Sequence, residues 1–342
     1  MMDGDMLRRD DMDNRERVRR AVAFQRPDRT PVELWTLPGT LWKYGPQIKA
    51  LLKRYPVDIV GAEQSAYDDS AMYQRGEFLD PWGVLWNNEQ PGIFSQVKTP
   101  PLADYAALEN YQPPYELLDR GFEGIPAFIE KHRDKFIKGA FIRLFERMQW
   151  LRGMTALMMD LMDDRPEVYC LRDVVHDFNL RELERWLSYG LDAIVFSDDW
   201  GSQWQLLIPP RTWRAFFAPC YEEMFARVHQ AGKFVFFHSD GYIVEVIEDL
   251  IALGVDALNS QVWCMGVEKL GARFRGRICF WGELDRQHTL PHGTPEDIRA
   301  AARKMKHHLE TPEGGLIGEG EAGVDVPLEN IEAMLSCWHG EG

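Results

Sequence analysis

Residues 234–241 read FVFFHSDG. Four consecutive apolar residues that end in polar residues and a glycine are typical of a parallel strand covered on both faces. The same pattern, a short apolar run followed by polar residues, recurs along the chain. It predicts eight strands, at residues 31–35, 58–62, 136–140, 193–197, 234–238, 257–259, 278–282 and 315–318.

Helix signals separate these strands. Pro209 and Pro210 open a predicted helix that closes at Gly232, and Thr294 is placed to cap another helix. Alternating strands and helices indicate βαβ units, and eight units indicate a (β/α)8 (TIM) barrel, an α/β fold. A doubly wound open sheet is the alternative, but no glycine-rich nucleotide-binding motif follows a strand.

Three further parts of the chain complete the predicted organisation. Residues 14–24 predict an N-terminal helix before the first strand, and residues 1–13 predict a charged lead-in. Residues 80–101 are rich in Gly, Pro and Trp and predict a β-hairpin inserted over one face of the barrel. We therefore expect a single barrel domain over residues 14–342.

The composition excludes several classes of protein. The 342 residues carry a net charge of −15 and are 45% hydrophobic, which excludes a disordered chain and argues against nucleic acid as a partner. No run approaches the roughly 18 apolar residues of a membrane span, and the N-terminus lacks an apolar signal core. The five cysteines are odd in number and form no CxxC pair, as expected of reduced thiols in a cytoplasmic protein.

Polar side chains, mostly carboxylates, follow every predicted strand. In a barrel the catalytic groups lie at these carboxyl ends. His238 and Asp240 lie two residues apart on an extended chain and therefore face the same point. With a carboxylate from the eighth strand they suit Zn²⁺ or a similar ion. The alternative is that the two side chains bond only each other and nearby backbone.

Other residues at the strand ends extend the candidate site. Of Asp198 and Asp199, at most one side chain points into the barrel, and we take Asp199 as a base or substrate-orienting group. The alternative for this pair is helix capping. Residues expected to contact substrate are Glu63, Arg147, Trp200, Gln203, Asn259, Gln261 and Glu283. Arg147 with Glu146 and Arg152 also suits a surface salt-bridge set.

Seven segments together resemble the uroporphyrinogen decarboxylase superfamily, which also contains methyltransferases that work with corrinoid proteins. They are RERVRRAV with PDRTPV at the start, DPWGV (80–84), FER to LRGM (145–154), SDDWGSQ (197–203), HSDG (238–241), GVDALN (254–259) and PLENI (327–331). The resemblance covers residues 14–337 and implies a barrel enzyme. It is less specific for a reaction.

The resemblance is closer to the methyltransferases than to the true decarboxylases. The Arg-rich segment that decarboxylases place after the first strand corresponds to residues 35–42, which contain no Arg. The zinc ligands of the methyltransferases, His-x-Cys and a later Cys, correspond to His238, Asp240 and Glu321. Carboxylates thus replace both thiolates, which suits zinc or a harder ion such as Mn²⁺.

The sequence therefore predicts a metal-assisted methyltransferase or demethylase for a small organic substrate. His238, Asp199 and Asp240 are the candidate catalytic residues, and zinc is the expected metal. No Asp-x-His-x-x-Gly motif is present, so a corrinoid would come on a separate protein. The alternatives are a metal-free decarboxylase of uroporphyrinogen or a related acid, and a non-catalytic small-molecule binding barrel. A homodimer is also expected from the relatives.

Overall fold

The computed structural model describes residues 12–65 and 70–340. Its strands are β1 (Trp35–Thr36), β2 (Ile59–Ala62), β3 (Gly76–Leu79), β4 (Leu85–Asn88), β5 (Gln96–Thr99), β6 (Phe136–Ile142), β7 (Ala193–Ser197), β8 (Phe234–Ser239), β9 (Ala257–Ser260), β10 (Cys279–Trp281), β11 (Leu316–Ile317) and β12 (Glu321–Ala322). Apart from residues 12 and 13, the predicted lead-in lies outside the described residues.

The helices are α1 (Asn14–Val22), α2 (Pro38–Arg54), α3 (Ile125–Lys131), α4 (Phe145–Arg152), α5 (Met154–Met162), α6 (Pro166–Leu187), α7 (Pro210–Phe216), α8 (Ala218–Gln230), α9 (Val244–Leu253), α10 (Val262–Met265), α11 (Val267–Phe274), α12 (Thr289–His292), α13 (Pro295–Leu309) and α14 (Leu328–Trp338). Short 3₁₀ helices span Ser70–Tyr73, Tyr105–Asn110 and Tyr115–Asp119. Among the described residues, no helix combines the length and the apolar character that crossing a membrane would require.

A curled sheet of parallel strands forms the centre of the fold. Its order is β2-β6-β7-β8-β9-β10-β11. The first predicted strand lies between the two edges: Val32 forms a parallel bridge with Gly318, and its carbonyl accepts a 2.8 Å hydrogen bond from the Asp58 amide. The pair β1–β12 continues this contact. The predicted α/β barrel architecture is confirmed.

Asp58 holds the closing strand to the rest of the barrel. Its buried carboxylate accepts hydrogen bonds from Arg17 on α1 (2.7 Å), from Arg29 (2.7 and 2.9 Å) and from the Val32 amide (2.7 Å). Two cations and a backbone donor therefore satisfy one carboxylate where the first strand, the second strand and α1 meet.

Two local predictions differ from the structure. The helix expected from Pro209 and Pro210 to Gly232 is two helices, α7 and α8, because Pro219, in the first turn of α8, has no amide hydrogen to continue α7. The insertion is a three-stranded antiparallel sheet, β3-β4-β5, rather than a hairpin. The sequence concealed β3 because most of its residues are exposed and so lack an apolar alternation.

Other helix signals hold in the structure. Thr294 and Asp297 form a reciprocal capping box at the start of α13, and Pro295 occupies its first turn. The end of α9 is set by Gly254, which adopts a left-handed conformation with φ of 94°.

Replacing Asp58 tests its role in closing the barrel. We expect Asp58→Ala to lower the free energy of unfolding by about 3 kcal/mol, because it removes the buried carboxylate that joins Arg17, Arg29 and the Val32 amide. Denaturant unfolding measures this change. Glu130→Ala, which breaks an exposed ion pair with Arg133, serves as the control and should leave stability unchanged. A loss for Asp58→Ala no larger than that of the control would contradict the assignment.

Candidate active site at the mouth of the barrel

The pleat of β7 and β8 selects which polar residues face the barrel interior. Val195 and Phe236 belong to the cluster of apolar side chains inside the barrel. Successive side chains alternate, so His238 and Asp240 follow Phe236 on the inner face. By the same alternation Asp199 follows Val195, whereas Asp198 points outward.

Three of these side chains meet at one point. His238 Nε2 lies 3.5 Å from Asp199 Oδ1 and 3.7 Å from Asp240 Oδ1. One ligand atom from each residue falls within 4.8 Å of the others. Donors around a tetrahedral ion with bonds of about 2.1 Å lie about 3.4 Å apart, so small side-chain adjustments suffice to hold a divalent ion. Asp240 Oδ1 has no hydrogen-bond partner among the described residues.

Asn259 orients the imidazole. Its Oδ1 lies 2.5 Å from His238 Nδ1, while its Nδ2 donates to the Trp281 carbonyl at 2.6 Å. The donor bond fixes the amide, so His238 Nδ1 carries the proton and Nε2 faces the aspartates. Asn259 was predicted to contact substrate, but the structure places it behind His238 with no exposed surface.

The two aspartates favour a protonated His238. Burial alone lowers the pKa of His238, but the hydrogen bond with Asp199 and the charge of Asp240 outweigh it and raise the pKa to about 10. Burial alone raises the pKa of Asp199, yet the bond to His238 brings it below its ordinary value. The site in this form is an imidazolium between two carboxylates.

Arg286 links a second group of acids to this triad. Its Nη2 donates to Asp240 Oδ2 in a short contact, its Nη1 donates to Glu321 Oε1 at 2.9 Å, and its Nε lies 3.4 Å from Glu283 Oε1. Glu321, the third predicted metal ligand, is therefore joined to Asp240 through Arg286. Arg286 leaves Asp240 Oδ1 directed toward His238.

Two further acids in this region are fully enclosed. Burial raises the pKa of Glu283 to about 8, and burial likewise raises the pKa of Glu319 well above its ordinary value. Asn259 Nδ2 lies 3.3 Å from Glu319 Oε2. Near neutral pH the Glu283 carboxyl therefore keeps its proton, and the Glu319 pKa is shifted in the same direction, which reduces the negative charge around the triad.

Asp198 stabilises the start of a helix, which is the capping role given as the alternative for the Asp198–Asp199 pair. Its oxygens accept from the amides of Leu144 (3.0 Å) and Glu146 (2.8 Å) and from the Tyr221 hydroxyl (2.6 Å). These bonds fix the start of α4, so Asp198 holds the third loop in place while Asp199 faces the site.

The loops after β7, β8 and β9 are joined directly. Gln203 Nε2 donates to Gln261 Oε1 at 2.7 Å, and the Gly241 amide donates to the same oxygen at 3.2 Å. A Cβ on Gly241, which has φ of 80°, would collide with Gly201, so the backbones meet only because both residues are glycine. Trp200 lies in the core, stacked on Phe145 at 4.2 Å between ring centroids.

A cavity of about 590 Å³ opens beside the triad. Of the predicted site residues, it is lined by Glu63, Arg147 and Glu321. Its aromatic lining consists of Trp35, Tyr73, Trp82, Phe141, Phe178 and Trp186. The Trp35 and Phe141 rings lie 5.5 and 6.4 Å from the His238 ring, so these two side chains connect the cavity wall to His238, although the triad residues themselves are not part of the lining.

Sequence reasoning missed Arg286 and Lys138. Arg286 had a signal, because it is the only Lys or Arg in the segments that follow strands four to eight, residues 197–203, 238–243, 259–265, 282–287 and 318–325. Lys138 lies inside the barrel between the Trp35 and Trp281 rings and pairs with Glu33 at 2.6 Å. Nothing in the sequence around Lys138 distinguished it from a surface lysine.

The comparisons with known proteins agree with this architecture. The family described as uroporphyrinogen decarboxylase (URO-D) matches residues 140–340, more than half of the chain. The chain belongs to the URO-D family. The matched part contains β7 to β12 and all three residues of the triad. No curated protein matches the sequence.

A solved structure shares the URO-D barrel. A methyltransferase from Methanosarcina mazei matches over 96% of this chain and 99% of its own, with a TM-score of 0.75 and 17% sequence identity. At that identity the likeness establishes the fold, and the reaction has to be argued from the residues.

The charge state of His238 provides a test of the triad that does not depend on measuring enzymatic activity. In the metal-free protein we expect His238 to titrate near pH 10, as measured by NMR with labelled histidine and assigned with His238→Ala. Because this pKa lies above the ordinary 6.5, protonated His238 stabilises the folded protein. This contribution to the free energy of unfolding is complete below pH 6.5 and is lost as the pH rises through 10.

Neutralising Asp199 should lower the raised pKa of His238. Asp199→Asn is expected to lower the pKa of His238 by more than about one unit, because it removes the closest negative charge. Glu223→Gln, which alters the partner of His176 on the outer surface, is the matched control and should leave His238 unchanged. Titration of His238 near pH 6.5 in the parent protein would contradict the geometry.

Proposed function

We propose that the chain is a methyltransferase or demethylase for a small organic substrate, assisted by a divalent metal ion at His238, Asp199 and Asp240. The observation that carries this proposal is the triad itself: three ligand atoms surround one point, and Asp240 Oδ1 has no hydrogen-bond partner among the described residues. The wall of the neighbouring cavity includes Trp35 and Phe141, whose rings lie next to the His238 ring, so a substrate in the cavity lies close to the triad.

Asp199 takes the place that we predicted for Glu321 in the ligand set. Glu321 Oε1 accepts from Arg286, and Glu321 lies outside the three-residue cluster. Imidazole and carboxylate ligands suit Zn²⁺ and also Mn²⁺, and we expect zinc. When bound, the ion would act as a Lewis acid on an ether or hydroxyl oxygen of the substrate.

The protein side chains prepare the site for such a substrate. Asn259 holds the His238 ring with Nε2 toward the site, and Arg286 holds Asp240. Burial raises the pKa of Glu146 to about 8, so this acid keeps a proton near neutral pH. Glu146 lies 3.5 Å from Ser197 and pairs with Arg143, a residue of the cavity wall.

A methyl group removed from the substrate requires an acceptor. The barrel's likeness to a methyltransferase supports acceptance by a corrinoid on a separate protein, and this chain contains no Asp-x-His-x-x-Gly motif of its own. Decarboxylation of uroporphyrinogen, the reaction named by the family, is the alternative. Residues 35–42 supply no Arg for its carboxylates, and Glu321 lines the cavity where such a substrate would lie.

Metal content tests the proposal directly. Protein purified without an affinity tag should retain about one equivalent of zinc by mass spectrometry. His238→Ala, Asp199→Asn and Asp240→Asn should each lose it, because three protein ligands hold the ion. Glu321→Gln should retain it, and His229→Ala, a surface histidine paired with Asp256, is the control.

Two outcomes would contradict the proposed site. One is a parent protein that binds neither Zn²⁺ nor Mn²⁺ after incubation. The other is a Glu321→Gln variant that loses the metal while Asp199→Asn keeps it, which would restore the ligand set predicted from the resemblance.

A further inference from the structure

Arg147 is a largely buried cation whose contact with an anion, among the described residues, is a long ion pair. Its side chain is 11% exposed, and it makes no hydrogen bond to the described residues. The nearest carboxylate oxygen is Asp80 Oδ2, 3.8 Å from Arg147 Nη1. Asp80 already accepts from the Val84 amide at 2.9 Å and from Trp86 Nε1 at 3.0 Å.

The guanidinium of Arg147 is held in a fixed plane. It lies over the rings of Trp82 and Trp150, at 4.2 and 4.7 Å from their centroids. These ring contacts restrain the group, and Nη1 is enclosed beside Asp80. Because Arg147 lines the cavity, the edge formed by Nε and Nη2 is the one left for a molecule bound there.

The other charged groups of the cavity wall have partners or weakened charge. Lys138 pairs with Glu33 at 2.6 Å and Glu321 with Arg286 at 2.9 Å. Arg143 donates to Glu146 at 3.1 Å and to the Phe141 carbonyl at 3.2 Å. Burial raises the pKa of Glu182, although Arg147 partly opposes this. Among the described cations of the cavity wall, Arg147 thus makes the weakest polar contact with the protein.

A planar guanidinium edge matches a carboxylate, which accepts two parallel N–H bonds. A phosphate dianion fits less well, since Arg147 alone would have to compensate two charges in a chain with a net charge of −15. The rest of the cavity wall near Arg147, including Trp82 and Phe178, suits an apolar body.

We propose that the cavity binds small monocarboxylic acids with an apolar body, the carboxylate lying on Arg147. That such an acid is the substrate rests on the proposed function, because its other end would then face the triad. The binding of the acid itself requires no metal.

Calorimetry with matched acids and amides tests this specificity. The probes are benzoate, cyclohexanecarboxylate and hexanoate, each beside its neutral amide, in buffer containing EDTA. We expect at least one acid to bind at least about tenfold more tightly than its amide. Equal affinities, or no saturable binding of any acid, would overturn the proposal.

Variants of Arg147 assign the preference to this side chain. Arg147→Gln should abolish the preference for the acid while amide binding persists, and Arg211→Gln on the exposed surface is the control. If Arg147→Gln fails to fold by circular dichroism, Arg147→Lys decides: a reduced preference supports the proposal, since a point charge lacks the bidentate edge. An unchanged preference in a folded variant would overturn it.

This experiment separates the two proposals. Because the titrations contain EDTA, an acid preference that depends on Arg147 stands even if the protein proves to bind no metal. Conversely, a zinc-binding protein without any acid preference would leave the proposed function intact and overturn only the substrate class.

Discussion

Negative charge at the mouth of the barrel has to be compensated within the protein, and this constraint shapes the site. Asp199 and Asp240 lie against His238, and Arg286 joins Asp240 to Glu321; among the described residues these two cations are the ones paired with the three acids. The protonated His238 fulfils this role in the metal-free form. A divalent ion in place of the His238 proton would supply two positive charges instead of one. It would therefore compensate the charge of the surrounding carboxylates more fully.

The strands and loops make this concentration of charge possible. The pleat directs Asp199, His238 and Asp240 inward, and the glycine contact between Gly201 and Gly241 brings the loops after β7 and β8 together. Asp198, which faces the other way, anchors α4 and with it Arg147 on the cavity wall. One pair of adjacent aspartates thus positions both the end of the site proposed to bind metal and the end proposed to bind an acid.

The sequence predicted the barrel well because parallel strands buried on both faces leave continuous apolar runs. All eight predicted strand positions lie at parallel pairings of the structure. The inward direction of His238, Asp199 and Asp240 followed from their spacing. The three-stranded insertion was larger than expected, since exposed strands such as β3 carry little apolar pattern.

Local sequence patterns could not predict the contacts between segments that are distant along the chain. Arg286 reaches Asp240 across 46 positions of sequence, and no local pattern indicates which acid it will bind. For the same reason the resemblance offered Glu321 as the third ligand, whereas the folded chain brings Asp199 to His238. Arg147 was predicted to contact substrate, but its weak pairing with Asp80 became visible only with Asp80 and the tryptophans in place.

The most direct test of the metal site is anomalous diffraction at the zinc edge from crystals grown with Zn²⁺. The account predicts one strong peak within about 2.2 Å of His238 Nε2 and of an oxygen from each of Asp199 and Asp240. A peak bound by Glu321 and Glu283 without His238, or no peak at the mouth of the barrel, would contradict it.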